Sequence, residues 1–219
     1  MKHRIIALLL IVFILVNFRS QAQNDSSITK KRFIIPTILI GSGTVLTIPP
    51  ASFKVTIRDF IQKNINGYRN HAEDYFQYAP ILELYAADIF HMQPSNNAWG
   101  HTKCLLLSEL GTAAITHLLK SSFDIERPDG SAKNSFPSGH TSQAFTAATV
   151  LYLEMKDSHP IYAYSGYVFA TATGAFRMIN NRHWLPDVLV GAGLGILVTN
   201  LVYYFHPLKS CCPRKPNSL

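Results

Sequence analysis

The chain has 219 residues, a formal net charge of +7 and a mean hydropathy of +0.10. Its hydrophobic content of 47% is ordinary, but only 15% of its residues are charged, well below the usual quarter, so it falls between a soluble enzyme and a polytopic membrane protein. The length fits one domain with a sizeable core, no basic stripe with interleaved aromatics points to nucleic acid, and the three cysteines Cys104, Cys211 and Cys212 form neither a disulfide framework nor a metal spacing.

In chain order, the first 22 residues have the three-part form of a secretory signal peptide. "MKHR" is basic, "IIALLLIVFILV" is an apolar run too short for a bilayer span, and Ser20-Gln21-Ala22 offers small residues for cleavage. Cleavage after Ala22 is the expectation, an uncleaved anchor its rival. No cysteine at the junction suggests a lipid anchor. Removal leaves 17 basic and 13 acidic residues, a charge of +4. Residues 23–32, "QNDSSITKKR", read as a flexible lead-in, 33–206 as the domain and 207–219 as a polar tail.

The domain shows apolar or helical blocks at 33–48, 54–65, 73–90, 101–120, 141–155, 161–176 and 186–205, without alternating strand patterns bounded by hairpin turns. The fold class is all-α. Several blocks suit either a membrane span or a buried bundle helix. Gly191 and Gly195, four apart, suit close helix packing in both settings.

Three stretches carry polar residues of chemical interest. In the first, Lys120 ends an apolar helix, where the helix dipole favours a cation, and Arg127-Pro128 follows; Arg127 has Asp124 and Glu126 as possible partners. In the second, "NSFPSGHTSQAF", Pro137 and Gly139 precede a good helix that Ser138 or Thr141 could cap. Such a helix start presents unpaired N–H groups and the positive dipole end, a ready anion site. In the third, "GAFRMINNRHWLPD", Arg177 is followed by His183, Pro186 suits a first helical turn, and Asp187 lies four residues beyond the histidine. Each also reads as a cap, a surface cation or a satisfied interior histidine. Arg182 and His117 read as structural.

The order Lys-x6-Arg-Pro, Pro-Ser-Gly-His, Arg-x5-His-x3-Asp resembles the type 2 phosphatidic acid phosphatase superfamily, which also includes bacterial class A acid phosphatases and vanadium haloperoxidases. The resemblance covers roughly residues 75–205. One departure stands out: Phe176 occupies the position before Arg177, where the family commonly has serine, which puts a secondary contact in doubt. The resemblance implies a helical bundle with its active site at one end. It implies that Lys120, Arg127 and Arg177, with Ser138, Gly139 and following N–H groups, hold a phosphoryl group. It further implies His183 as nucleophile, Asp187 as its orienting partner and His140 as acid and then base. No metal or other cofactor is expected. The expected activity is hydrolysis of phosphate monoesters or pyrophosphates through a phosphohistidine, with lipid phosphates as first substrate class. Membrane association and a periplasm-facing site follow from the signal segment and apolar helices. A soluble broad-specificity acid phosphatase, a vanadium haloperoxidase and a non-catalytic lipid-binding membrane protein are the alternatives.

Overall fold

The computed structural model describes residues 31–48, 52–65 and 69–205. The signal segment, most of the lead-in and the tail with Cys211 and Cys212 lie outside the described residues. Eight helices are present among them and no strand: α1 (Ile34–Thr47), α2 (Ser52–Ile65), α3 (Ala72–Phe76), α4 (Ala79–Ile89), α5 (Ala98–Ser122), α6 (Gly139–Met155), α7 (Pro160–Ile179) and α8 (Leu185–Phe205). The all-α expectation holds.

Local chemistry sets several boundaries. Pro80 and Pro160 occupy first-turn positions of α4 and α7, where a missing N–H does no harm. Asn97 caps α5 by accepting from the Gly100 amide at 2.8 Å. The expected block 73–90 is divided between α3 and α4. Pro128 does not stop the helix that carries Lys120: α5 ends at Ser122, where Phe123 turns extended.

The centre of the bundle is α8, buried along most of its length between α1, α5 and α6. Close approach to both α1 and α6 is possible because α8 presents glycines. A methyl group on Gly191 would meet the Ser138 carbonyl at 2.7 Å, and one on Gly193 would meet Ile40 at 2.7 Å and the Pro36 carbonyl at 3.0 Å. The expected packing role of Gly191 and Gly195 is met, since Gly195 abuts the backbone of Ser142 and Thr146. Core side chains such as Leu84, Val150, Leu151 and Leu153 fill the space between α4 and α6.

The C-terminal end of α6 is fastened by one carboxylate. Glu154 is 0% exposed and accepts from the Asn96 amide and Nδ2, both at 2.8 Å, and from the Tyr203 hydroxyl at 2.6 Å. A buried charge is tolerable when its oxygens are so supplied.

Outward faces are unusually apolar. Ile34, Ile35 and Ile38 on α1, Leu82 and Ile89 on α4, Leu106 and Leu110 on α5, and Ile161 and Val168 on α7 are all exposed. Among the described residues, α8 is the one single helix long and apolar enough to cross a membrane.

Candidate active site

All three polar stretches converge at one end of the bundle. Lys120 lies in the last turn of α5, His140 in the first turn of α6, Arg177 in the last turn of α7 and Asp187 in the first turn of α8. Antiparallel neighbours bring these ends together although the residues span 68 positions of sequence.

His183 and Asp187 form the buried centre, 3% and 0% exposed. The His183 Nδ1 lies 3.4 Å from Asp187 Oδ2. That carboxylate oxygen also accepts from the Trp184 amide at 2.9 Å and from the Ser135 hydroxyl. With Nδ1 turned to the carboxylate, Nε2 is the nitrogen left to act elsewhere. Burial drives the His183 pKa down to about 4, against the opposing pull of Asp187 and with help from the Arg177 and Lys120 charges. The imidazole is therefore neutral near pH 7.

The turn that delivers His183 has a backbone cause. Asn181 sits at φ +59°, a left-handed conformation that asparagine tolerates better than most residues. The amides of Arg182 and His183 then both donate to the Arg177 carbonyl, at 3.0 and 3.3 Å. Arg177 and His183 are thus set relative to each other by main chain alone.

The cations are held largely by neutral oxygens. Lys120 Nζ donates to the Asn134 carbonyl at 2.6 Å, and Arg127 Nε donates to Asn134 Oδ1 at 3.1 Å. Arg127 therefore does not take the Asp124 or Glu126 partner that sequence proximity offers. Burial, together with repulsion from Arg127 and Arg177, lowers the Lys120 pKa to about 8, with Asp187 opposing. Arg177 is 8% exposed and donates to Glu73 Oε1 at 3.3 Å, an oxygen that also accepts from Asn180 Nδ2 at 2.7 Å. Its Nε is buried with no hydrogen-bond partner among the described residues.

His140 Nε2 lies 3.2 Å from Asp74 Oδ1. Burial lowers its pKa below the ordinary 6.5, the Arg177 charge lowers it further, and the Asp74 contact works in the other direction. Asp74 comes from the short α3, which aromatic packing fixes in place: the Phe76 ring is 5.8 Å from both Phe169 and Phe176 of α7. Phe176, the departure from the family pattern, is one side of that anchor.

The helix-start expectation needs one correction. The Ser138 amide donates to the Asp187 carbonyl at 3.0 Å, and its hydroxyl is paired with Thr141 Oγ1 at 2.8 Å, with the whole residue 0% exposed. Ser138 is spent on joining α6 to α8, so its amide is not part of an anion cradle. Gly139 and His140, at the first helical positions, carry the N–H groups that point out of the helix start. A methyl group on Gly139 would meet Lys120 Cε at 3.9 Å, so lysine and helix start face each other.

Sequence reasoning passed over Asn134, Ser135, Glu73, Asp74 and Asn180. Asn134 and Ser135 stand in the quoted stretch but follow no spacing rule. Glu73 and Asp74 lie about 100 residues from Arg177, on a five-residue helix. Arg182, read as structural, pairs with Asp129 at 3.1 Å. Across the same loops lies α2, whose Arg58 donates to Asn181 Oδ1 and the Pro128 carbonyl and whose Gln62 donates to the last carbonyls of α7. Among the described residues no group of three or more His, Cys, Asp or Glu side chains is placed to hold a metal ion.

A groove of about 570 Å³ runs along α5 and α6 and reaches Lys120, Gly139 and His140 at one end. Tyr78, Leu106, Leu110 and Ala113 line its length together with the polar Glu109, Thr116, His117 and Gln143, so His117, read as structural, faces a cavity.

An all-helical bundle that gathers three cations and two histidines at the ends of four helices defines the class of this protein. A profile of the PAP2 superfamily matches residues 101–211, just over half of the chain, and the chain belongs to that superfamily. It is 37% identical over 155 residues to the lipid A 1-phosphatase of Porphyromonas gingivalis, an alignment covering 69% of this chain and 34% of that protein. The chain therefore spans about a third of the length of this relative. Among solved structures, it is similar to a transmembrane PAP2 type phosphatidylglycerolphosphate phosphatase from Bacillus subtilis, at TM-score 0.54 and 20% identity over 81% of this chain and 95% of that one. Similarity to Aquifex aeolicus LpxE has a TM-score of 0.48 and 24% identity, covering 67% of this chain and 93% of the other. The Bacillus likeness supports the same helical fold.

Proposed function

We propose that the protein is a phosphatase acting on phosphorylated lipids, through a phosphohistidine on His183. The observation that carries this reading is the groove: an anion site made by Lys120, Gly139 and His140 continues along α5 into a channel with apolar wall from Tyr78, Leu106, Leu110 and Ala113, beside the polar Glu109 and His117. A soluble monoester needs the first part alone, whereas a lipid phosphate needs both. The sequence similarity to a lipid A 1-phosphatase supports the same substrate class.

In this mechanism Lys120, Arg127, Arg177 and the Gly139 amide surround the phosphoryl oxygens. Preorganised cations and amides stabilise charge on the equatorial oxygens as the group transfers. The neutral His183 attacks phosphorus through Nε2, forming a P–N bond while the P–O bond to the lipid breaks. His140 gives its proton to the departing oxygen. In the second half, His140 takes a proton from water, whose oxygen displaces His183 and releases inorganic phosphate. Asp187 holds the tautomer of His183 and stabilises the cation it becomes, and Ser135 and the Trp184 amide hold Asp187.

Apolar outward faces on α1, α4, α5 and α7 support membrane association. The basic, then apolar, then small-residue order of residues 1–22 supports export, with the site on the periplasmic side.

Phosphate release from a phosphorylated lipid in mixed micelles, measured beside a soluble nitrophenyl phosphate, tests the reading. The lipid is expected to show the higher kcat/KM, with activity surviving EDTA. A preference for the soluble ester would favour the broad acid phosphatase instead. Halide oxidation on addition of vanadate and peroxide, without phosphate release, would favour the haloperoxidase.

A further inference from the structure

A second cavity, of about 590 Å³, runs along the bundle from Phe145 and Thr149 of α6 to Lys156 just beyond its C-terminal end, and none of its lining residues takes part in the chemistry above. Its basic rim at Lys156 is sixteen positions from His140, about 24 Å at 1.5 Å per helical residue. Its composition is divided. Ile35 and Leu39 of α1, Leu153 of α6 and Ile196 of α8 give it apolar walls, while Lys31, Arg32 and Lys156 bring three cations to it.

Between these parts stands a group of tyrosines. The Tyr152 ring is 5.1 Å from Tyr164 and 5.9 Å from Tyr167, and the Tyr167 hydroxyl donates to Thr149 Oγ1 at 3.1 Å. Tyrosine suits the boundary between a wet and an apolar region, since one end of its ring is polar. The approach of α1 is fixed here, because the Arg32 carbonyl accepts from Asn200 of α8 at 3.0 Å. Lys31 and Arg32, assigned to the lead-in from composition, thus flank a built cavity. Of the three cations, Lys156 is partly offset by Asp157, which its Nζ meets at 2.8 Å. Lys31 and Arg32 have no acidic side chain within ion-pair distance among the described residues.

We infer that this cavity is a binding site for an anionic phospholipid, with the phosphate at Lys31, Arg32 and Lys156 and an acyl chain against Leu39, Leu153 and Ile196. The division of the cavity selects an amphiphile over a simple anion, and the sign of its rim selects a negative headgroup. Basic pockets between apolar helices recognise lipid headgroups on this principle. The apolar segment 5–16 of the chain is a poorer fit, because it follows Lys2, His3 and Arg4, which the three cations would repel. The site is separate from the catalytic centre, and its lipid is not a substrate.

Native mass spectrometry of the full chain in detergent, titrated with phosphatidylglycerol or with phosphatidylcholine of matched chains, tests this. One phosphatidylglycerol per chain is expected, with phosphatidylcholine weaker by about tenfold or more. Replacing Lys31, Arg32 and Lys156 together by alanine should remove that preference, and Leu39→Trp should fill the apolar part and lower retention of both lipids. His183→Ala should leave binding unchanged, which keeps this result independent of the phosphatase reading. Equal retention of the two lipids, or retention unaltered in the Leu39→Trp protein, would overturn the proposal. So would displacement of the lipid by millimolar inorganic phosphate, or crosslinking of residues 5–16 into the cavity. If the triple variant does not fold, the Leu39→Trp protein decides alone.

Discussion

The two ends of α6 use buried charge in opposite ways. At the C-terminal end Glu154 is surrounded by neutral donors, the Asn96 amide and side chain and the Tyr203 hydroxyl, and nothing else is asked of it. At the N-terminal end Lys120, Arg127 and Arg177 repel one another, share few acceptors and include a buried Arg177 Nε without a partner among the described residues. The first arrangement is a fastening, complete in itself. The second is energetically incomplete, and the anion of the proposed function would complete it. Satisfied buried networks stabilise a fold, whereas unsatisfied ones are kept where a ligand will supply what is missing.

The largest expected effect tests the active end. His183→Ala should reduce phosphate release by roughly 10⁴-fold or more, the scale of losing a nucleophile, and abolish covalent labelling. His140→Ala should still accept label from nitrophenyl phosphate, whose leaving group needs no proton. Rapid-quench labelling decides between them, and label persisting in His183→Ala would remove the proposed intermediate.

Glu154→Leu tests the fastening. It strands the Asn96 and Tyr203 donors, so a loss of about 3 kcal/mol in stability is expected. A thermal melt should show the lowered midpoint, while kcat below that midpoint stays near wild type. A large fall in kcat with an unchanged melt would erase the contrast between the ends.

Arg127→Ala should show the converse. About 100-fold lower kcat/KM is expected, the scale of one charged transition-state contact, with little change in the melt because, among the described residues, the Arg127 side chain is bonded to Asn134 alone. Steady-state kinetics and a melt on the same preparation check both halves.

The smallest effect is a displacement in pH. His183 must be neutral, so activity should fall as pH drops through about 4. His140 must be protonated and its pKa lies below 6.5, so activity should also fall as pH rises through that lower value. Asp74→Asn removes a contact that raises the His140 pKa, and the basic limb of the kcat/KM profile should move to lower pH. A shift to higher pH would mean that His140 is not the group titrating there.

Much of this was legible from residue order. The helical blocks followed the apolar pattern, and Lys120, Arg127, His140, Arg177, His183 and Asp187 do meet at one end. What stayed hidden depends on three-dimensional approach. Nothing in the spacing of Glu73 and Asp74 links them to Arg177 and His140, since α3 owes its position to Phe76 packing on Phe169 and Phe176. Asn134 holds two cations through two different oxygens, one of them a main-chain carbonyl that any residue would have provided. Ser138 was misread for a related reason: the pattern locates it at a helix start but says nothing about whether its amide is already taken.

That amide has a consequence of its own. Through Ser138 N–H to the Asp187 carbonyl, and through the Gly191 contact with the Ser138 carbonyl, the start of α6 and the start of α8 are locked as one rigid piece. His140 and His183, the proposed proton donor and nucleophile, cannot be moved independently, so their separation is inherited rather than adjustable. Under the proposed function, changes in substrate choice must then be sought on the groove wall, among Tyr78, Leu106 and Leu110. There a side chain would alter the channel without disturbing the distance between the two histidines.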